Sequence, residues 1–394
     1  MLSHIAMILV TVLTLNQTSP VDVTFRVTVP ADTPADAGIF IAGDFQGWNP
    51  GSPAHRLTRV SDHIYEITLA LELNATIEYK FTRGDWSTVE KGRRGEEISN
   101  RKLTVAATAV VEHAVANWRD LSTENAPPRQ PTITGDVTLI DVPGFLGGRR
   151  VWVYLPPGYH GGDERYPVLY MLDGQNVFDE STSFAGEWKA DETCERLIAA
   201  GAIEPIIVVA VANAELRRSD EYTPWYDPSY QGGGGGAADA FLDAMSGVLV
   251  PTIDTTYRTQ SGPASTGLAG SSLGGLIALY AAYEYPHTFG LIGAFSPYLG
   301  WKDDEMLRWS AGRDPVPVRV YMDMGTREWG SMRDADNNGV DDAIDDLRVM
   351  RRVMLGQGFV EGEDLLVVED EGARHHETAW ATRLPGALRF LFPR

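Results

Sequence analysis

The serine pair in "GLAGSSLGGLIALY", Gly267 to Tyr280, stands between glycines at the head of an apolar run. Gly270-Ser271-Ser272-Leu273-Gly274 reads as G-x-S-x-G, the sharp strand-to-helix bend that holds a serine hydroxyl out for nucleophilic attack. Counting through the pattern makes Ser272, and not Ser271, the nucleophile. In such a bend, side chains two residues either way are expected to collide, which accounts for both glycines. The helix that follows aims its first amides at the reacting centre, so the Leu273 amide is an expected oxyanion donor.

A serine alcohol attacks poorly until a base takes its proton and an acid orients that base. In the elbow arrangement both partners follow the serine, acid first and histidine second. The histidines downstream are His287, His375 and His376. His287 lies at the far end of the elbow helix, whereas "EDEGARHHETAW" follows the last expected strand, where the base belongs. Of that pair His375 is the expected base, and His376 a neighbour that packs or faces solvent. The acid is expected after the preceding strand, in "VRVYMDMGTREWG", where Glu328 follows a Gly-Thr turn. Asp323, inside that strand, and Asp334 are the competitors. A second oxyanion donor is expected from "VLYMLDGQNVFD": Gly174 lets the backbone turn, and the amide of Gln175 or Asn176 follows it.

These residues need a scaffold. From Val21 to about Trp118, short segments alternate apolar and polar residues between turns, the pattern of an antiparallel β-sandwich. "STENAPPRQPTITGD", Ser122 to Asp136, reads as a linker. Beyond it, compact runs such as "YPVLYMLDG" and "IEPIIVVAVAN" are apolar on both faces, as buried parallel strands are. Helix-length amphipathic pieces separate them: 188–200, 237–253, 273–285, 343–355 and 378–391. That alternation predicts a doubly wound, mostly parallel α/β layer. The run Gly232 to Gly236 lacks the Lys-Ser/Thr of a phosphate loop and reads as a flexible connection. The expected division is a leader over 1–20, a β domain over 21–120, a linker over 121–136 and a catalytic domain over 137–394.

Composition narrows the partners. The chain has 394 residues and a net charge of −21, with no block of like charges. That disfavours nucleic acid and anionic membranes, and fits neutral or cationic substrates. The one cysteine, Cys194, reads as a small buried helix residue, and the histidine spacing offers no zinc site. The apolar run Ile5 to Leu15 is too short to span a bilayer and suits a secretory leader, which predicts a secreted or periplasmic protein. "DADNNGVDDAID", Asp334 to Asp345, carries oxygen ligands at calcium-loop spacing, Asp334, Asp336, Asn338 and Asp345 among them, with Gly339 at position six. It is expected either to hold a structural Ca²⁺ or to be an acidic loop ending in a helix cap. No cofactor is required by the chemistry.

On "RRVWVYLPPGY", "YPVLYMLDGQNVFD", "NAELRRSDEYTPW", "GSSLGGLIALY", "MGTRE" and "GARHHETAW", the stretch from about Val137 to Arg394 resembles the esterase D-like family. That family includes feruloyl, acetylxylan and enterochelin-type esterases. The resemblance implies an α/β-hydrolase fold with Ser272, Glu328 and His375 as triad. "RRSDEYTP" looks like the pocket segment of the enterochelin-esterase branch, which implies Arg218, Glu221 and Tyr222 near the substrate; the alternative is a loop salt bridge. "GIFIAGDFQGWNP", "IEYKFTRGDW" and "NRKLTV" resemble a starch-binding, glucoamylase-type module. The matching positions imply sugar contacts at Trp48, Lys80, Trp86 and Asn100; the alternative is a module that only braces the enzyme. The sequence therefore predicts an exported serine esterase that removes acyl groups from a carbohydrate, with no nucleic-acid partner and no membrane span. Hydrolysis of a siderophore or other small ester, and a non-catalytic glycan-binding protein, are the alternatives.

Overall fold

The computed structural model describes residues 20–92, 95, 98, 100–121, 131–183, 186–230, 233–328, 334–336 and 338–394. The expected leader up to residue 19, and 122–130 of the expected linker, lie outside the described residues. The chain splits into two compact units at Ala126/Pro127.

The first unit is built of strands: β1 (Val21–Thr28), β2 (Ile39–Gly43), β3 (Arg56–Ser61), β4 (Ile64–Leu71), β5 (Thr76–Thr82), β6 (Glu90–Lys91), β7 (Arg101–Thr104), β8 (Ala109–Ala114) and β9 (Asn117–Trp118). Pairing runs β7-β5-β2-β3-β4-β1-β8, with β6 and β9 as a separate pair. Alternation places Val23, Phe25 and Val27 of β1 in a buried cluster with Ile39, Ile41, Tyr79, Phe81 and Trp118. One pairing departs from the antiparallel expectation: β1 and β8 run parallel, from Val23↔Ala109 to Thr28↔Ala114. Alternation reports which face a residue takes and is silent on the direction of the neighbouring strand. Because β1 and β8 are far apart in the chain, their parallel pairing needs no dedicated crossover.

The second unit holds β10 (Asp136–Ile140), β11 (Val151–Leu155), β12 (Val168–Leu172), β13 (Ile207–Val211), β14 (Thr266–Ser271), β15 (Leu291–Phe295), β16 (Arg319–Gly325) and β17 (Leu365–Asp370). Their order is β10-β11-β13-β12-β14-β15-β16-β17. Every pairing from β13 to β17 is parallel, and β10 and β11 join antiparallel. The helices are α1 (Ala190–Ala199), α2 (Arg218–Tyr222), α3 (Ala238–Ala244), α4 (Val250–Thr256), α5 (Leu273–Glu284), α6 (Glu305–Ala311), α7 (Asp342–Gly356) and α8 (Glu377–Leu391).

Both faces of this sheet are covered. In β12, Val168, Tyr170 and Leu172 pack in one core cluster with residues of α3 to α7, while Leu169 and Met171 pack in another with α1 and α8. This is why the strands read as unbroken apolar runs. Helix α5 is buried along its length except at Glu284, as befits a helix apolar all round. The expected single helix over 237–253 is instead α3, a π-helical turn at Met245–Leu249, and α4. Pro251 lies in the first turn of α4; it has no amide to bond back into the previous turn, so the ladder reorganises there. The glycine run is not a loose connection where it is described: the Asp227 amide donates to Gly234 O at 2.8 Å and the Gly236 amide to Thr223 O at 2.9 Å. Among the described residues no helix is long and apolar enough to cross a membrane.

Candidate active site

The C-terminal ends of parallel strands gather the chemically able residues. Gly174 follows β12, Ser272 follows β14, Ser296 follows β15, Glu328 lies three residues beyond β16, and His375 lies five beyond β17. In open parallel sheets this edge is where ligands bind.

Ser272 sits at the junction of β14 and α5 with φ 58° and ψ −121°. That left-handed backbone is strained for a residue with a side chain, at a cost of about 1–3 kcal/mol. It is held by three bonds: the Ser272 amide donates to Phe295 O, and the amides of Leu276 and Tyr298 donate to Ser272 O, each at 3.0 Å. A Cβ on Gly270 would come within 2.8 Å of the Gly274 backbone, so residue 270 must be glycine. The symmetrical expectation for Gly274 is corrected: a Cβ there meets nothing nearer than 3.6 Å, an ordinary contact. The bend crowds from its strand side only.

His375 Nδ1 lies 2.6 Å from Glu328 Oε2, and the His375 amide donates to Glu328 O at 2.9 Å. Burial opposes charge on Glu328, but hydrogen bonds from His375, Ser296 and the Gly325 amide outweigh it and hold its carboxyl below the usual glutamate range. An ionised Glu328 makes Nδ1 the protonated nitrogen, which leaves the lone pair on Nε2. Ser296 is the hub of the acid's support. Its hydroxyl donates to Glu328 Oε1 at 2.7 Å and accepts from Trp380 Nε1 at 3.0 Å and Arg383 Nη2 at 2.9 Å. Ser296 has φ 39°; only a strained turn after a strand marks it, and the sequence carries no pattern that singles it out.

The competing residues have other partners. Asp323 is fully buried, accepts from Tyr321 Oη at 2.8 Å and the Ser296 amide at 3.0 Å, and faces Arg383 at 3.3 Å. Asp334 accepts from the amides of Asn338 and Gly339, each at 2.9 Å. His376 caps α8: its Nδ1 accepts from the Thr378 amide at 3.2 Å.

The turn after β12 is a 3₁₀ helix, Gly174–Asn176. A Cβ on Gly174 would fall 2.6 Å from the backbone of Ala210 and Val211, so only glycine fits against β13. Of the two donors offered there, the Asn176 amide donates to Asp173 O at 2.9 Å. The first amides of a helix have no partner within it, which leaves Gln175 and, in α5, Leu273 as the available donors.

The segment Arg218–Tyr222 supports this turn. Arg218 forms a two-pronged ion pair with Asp173, both bonds at 2.7 Å. The Tyr222 hydroxyl accepts from the Asp173 amide at 3.2 Å, and its ring is fully buried. Glu221 pairs with Arg149 at 2.9 and 2.8 Å. Tyr222 and Glu221 are therefore buried and already paired, Glu221 with Arg149, and Asp173, which no motif in the sequence singles out, is the residue that Tyr222 and Arg218 serve.

In the acidic loop, Asn338 Nδ2 donates to Asp336 Oδ2 at 3.1 Å and Asp345 Oδ2 at 2.8 Å, and its amide donates to Asp334 and Asp336. Asp341 caps α7. In the first unit, the Trp48 and Trp86 rings lie 6.2 Å apart, both half-buried. Lys80 Nζ donates to Ile98 O at 2.6 Å, and Asn100 Nδ2 to Glu78 Oε2 at 3.1 Å. β5 and β7 pair in register from Thr76↔Thr104 to Tyr79↔Arg101, and Lys80 and Asn100 are the residues next to that last pair in the chain.

Comparison with known proteins agrees with this architecture. The family model described as "Putative esterase" matches residues 146–391. An alpha-amylase of Niallia circulans is 50% identical over 99 residues, 25% of this chain and 8% of that enzyme, and the likeness lies in the N-terminal region. An endo-1,4-beta-xylanase/feruloyl esterase of Xylanibacter ruminicola is 28% identical over 245 residues, 61% of this chain and 29% of that enzyme. The chain thus spans under a third of either relative. Among solved structures, the enterobactin esterase of Shigella flexneri superposes with a TM-score of 0.51 at 16% identity, over 96% of this chain and 94% of its own.

Proposed function

The chain belongs to the "Putative esterase" family and is an ester hydrolase; from that premise we propose that it is exported and removes acyl groups from a carbohydrate, using Ser272, His375 and Glu328. The observation that carries the catalytic part is the 2.6 Å bond between His375 Nδ1 and Glu328, formed on the strand edge that also holds the strained Ser272. In this reading Ser272 Oγ attacks the ester carbonyl carbon and its proton passes to His375 Nε2. Glu328 stabilises the imidazolium, and the amides of Leu273 and Gln175 hold the oxyanion. Collapse breaks the C–O bond, and the departing alcohol takes the proton from His375. Water then attacks the acyl-Ser272 ester, with His375 again as base, and releases the acid.

The carbohydrate part rests on the paired Trp48 and Trp86 and on the likeness of the N-terminal region to an amylase. Half-buried tryptophans offer flat apolar faces on which a pyranose ring stacks. Export rests on the apolar run Ile5 to Leu15. The experiment is turnover of p-nitrophenyl acetate, of acetylated and feruloylated glycans, and of siderophore esters by wild type and Ser272→Ala. Loss of about a millionfold in kcat is expected for the variant. Equal rates for the two proteins end the triad assignment; turnover of siderophore esters alone ends the carbohydrate assignment.

A further inference from the structure

The loop that runs from the oxyanion turn into α1 contains a carboxylate group with no part in the hydrolytic chemistry. Glu187, Asp191 and Glu192 each bring one ligand oxygen within 4.8 Å of the others. Glu187 is 3% exposed and Asp191 0% exposed. Each of the three also carries a buried oxygen that no donor of the protein reaches, Oε1 of Glu187, Oδ1 of Asp191 and Oε2 of Glu192, and a proton shared between Asp191 and Glu192 is the bond open to that pair. The neighbouring oxygens are occupied, since Glu187 Oε2 accepts from Thr132 Oγ1 at 3.0 Å and Asp191 Oδ2 from the Thr134 amide at 2.6 Å. Lys189 is exposed, and its charge offsets only part of the burial and the neighbouring Glu192 that act against an ionised Glu187. The first-turn amides of α1 offset only part of three negative charges. Buried carboxylate oxygens without a donor are costly, and gathering three carboxyl groups in one place compounds the cost.

We propose that Glu187, Asp191 and Glu192 form a calcium site. An all-oxygen, anionic donor set selects a hard cation over zinc or copper. Magnesium keeps several waters and a strict octahedron, whereas calcium accepts irregular shells of carboxylates at about 2.3–2.6 Å. Two of the three donors are almost wholly out of solvent, so calcium is the better fit. The ion would fasten the catalytic loop: the Trp188 amide donates to Asn176 O at 2.8 Å and the Ala190 amide to Val177 O at 3.1 Å. Through these bonds the site braces the Gly174–Asn176 turn, and through Thr132 and Thr134 it ties that turn to the segment entering β10. This site is separate from the acidic loop Asp334 to Asp345, which has its own hydrogen bonds.

Calcium titration of the metal-stripped full chain tests this, by calorimetry and thermal melting. Wild type is expected to bind saturably and to gain about 5 °C in Tm at a hundredfold excess over Kd. Asp191→Asn is expected to bind one Ca²⁺ fewer per chain, and Asp336→Asn to keep the shift. If Asp191→Asn does not fold, terbium titration decides: emission sensitised through Trp188, displaced by calcium and lost in Trp188→Phe, supports the site, and its absence refutes it. The proposal is also overturned if wild type shows no saturable binding, or if binding survives Asp191→Asn and vanishes in Asp336→Asn. A third contrary result is Asp191→Asn raising Tm to one value with or without calcium, the mark of an acid pair that merely shares a proton.

Discussion

Two adjacent histidines, His375 and His376, show how neighbouring residues of one type divide their work. The Nδ1 of His375 meets a buried carboxylate at 2.6 Å, while that of His376 accepts the Thr378 amide at 3.2 Å and opens α8. The first arrangement orients an imidazole for proton transfer; the second satisfies a helix end. His375→Ala is therefore expected to lower kcat by at least about 10⁴-fold. His376→Ala should leave kcat within a factor of a few and destabilise the fold by about 1 kcal/mol, the usual worth of an N-cap. Steady-state rates on a soluble ester and melting curves of both variants check the contrast. A large kcat loss confined to His376→Ala would reverse the assignment.

At the scale of elements, the elbow was legible because a serine on a strand-to-helix bend needs a particular string of small residues, and Gly270 is there for a contact only glycine permits. The strand following it, and the loops that deliver Glu328 and His375, were legible from apolar runs that end in turns. Ser296, Arg383 and Trp380 were not: they act through contacts between β15, the loop after β16 and α8, and no local spacing records a contact across 80 or more residues such as Trp380 to Ser296. For the same reason Asp173, the partner that Arg218 and Tyr222 share, has no local signature in the sequence. This arrangement makes a prediction about the turn after β12. Asp173 is 4% exposed and would keep only the Asn213 Nδ2 bond at 2.6 Å, so Arg218→Ala leaves a buried carboxylate without its counter-charge, at a cost of about 3 kcal/mol. Arg218→Lys cannot reproduce the two-pronged bond and is expected to recover only part of it. Chemical denaturation of both variants measures the cost, and an Arg218→Ala protein as stable as wild type would show the pair to be incidental.

For the whole molecule, acidity and modularity set the behaviour. Glu377, buried against the Gly174–Asn176 turn and accepting from Asn176 Nδ2 at 3.3 Å, has its carboxyl pushed up to about 7, by burial first and then by Asp173. The folded chain therefore holds a proton that the unfolded chain releases near the ordinary glutamate value of 4.5. Stability from this group is complete below that value and is lost as pH rises through about 7, a decline of about 3 kcal/mol. Glu328 works in the opposite sense: its depressed carboxyl contributes stability above the ordinary glutamate range, lost on acidification. Melting curves across this window should fall with pH in wild type and fall less steeply in Glu377→Gln, because burial pushes the Asp323 and Asp346 carboxyls up as well; an unchanged slope in the variant would assign the whole decline to those other acids. Modularity makes the second prediction at this scale. A glycan-binding unit tethered to an esterase raises the local concentration of polymer-borne ester without touching the bond that breaks. Trp48→Ala with Trp86→Ala should then lower turnover of an insoluble acylated glycan by about a hundredfold, through KM, and leave p-nitrophenyl acetate turnover as it was. Equal losses on both substrates would mean that the tryptophans hold the enzyme together, and no loss on either would mean that the paired rings meet no sugar.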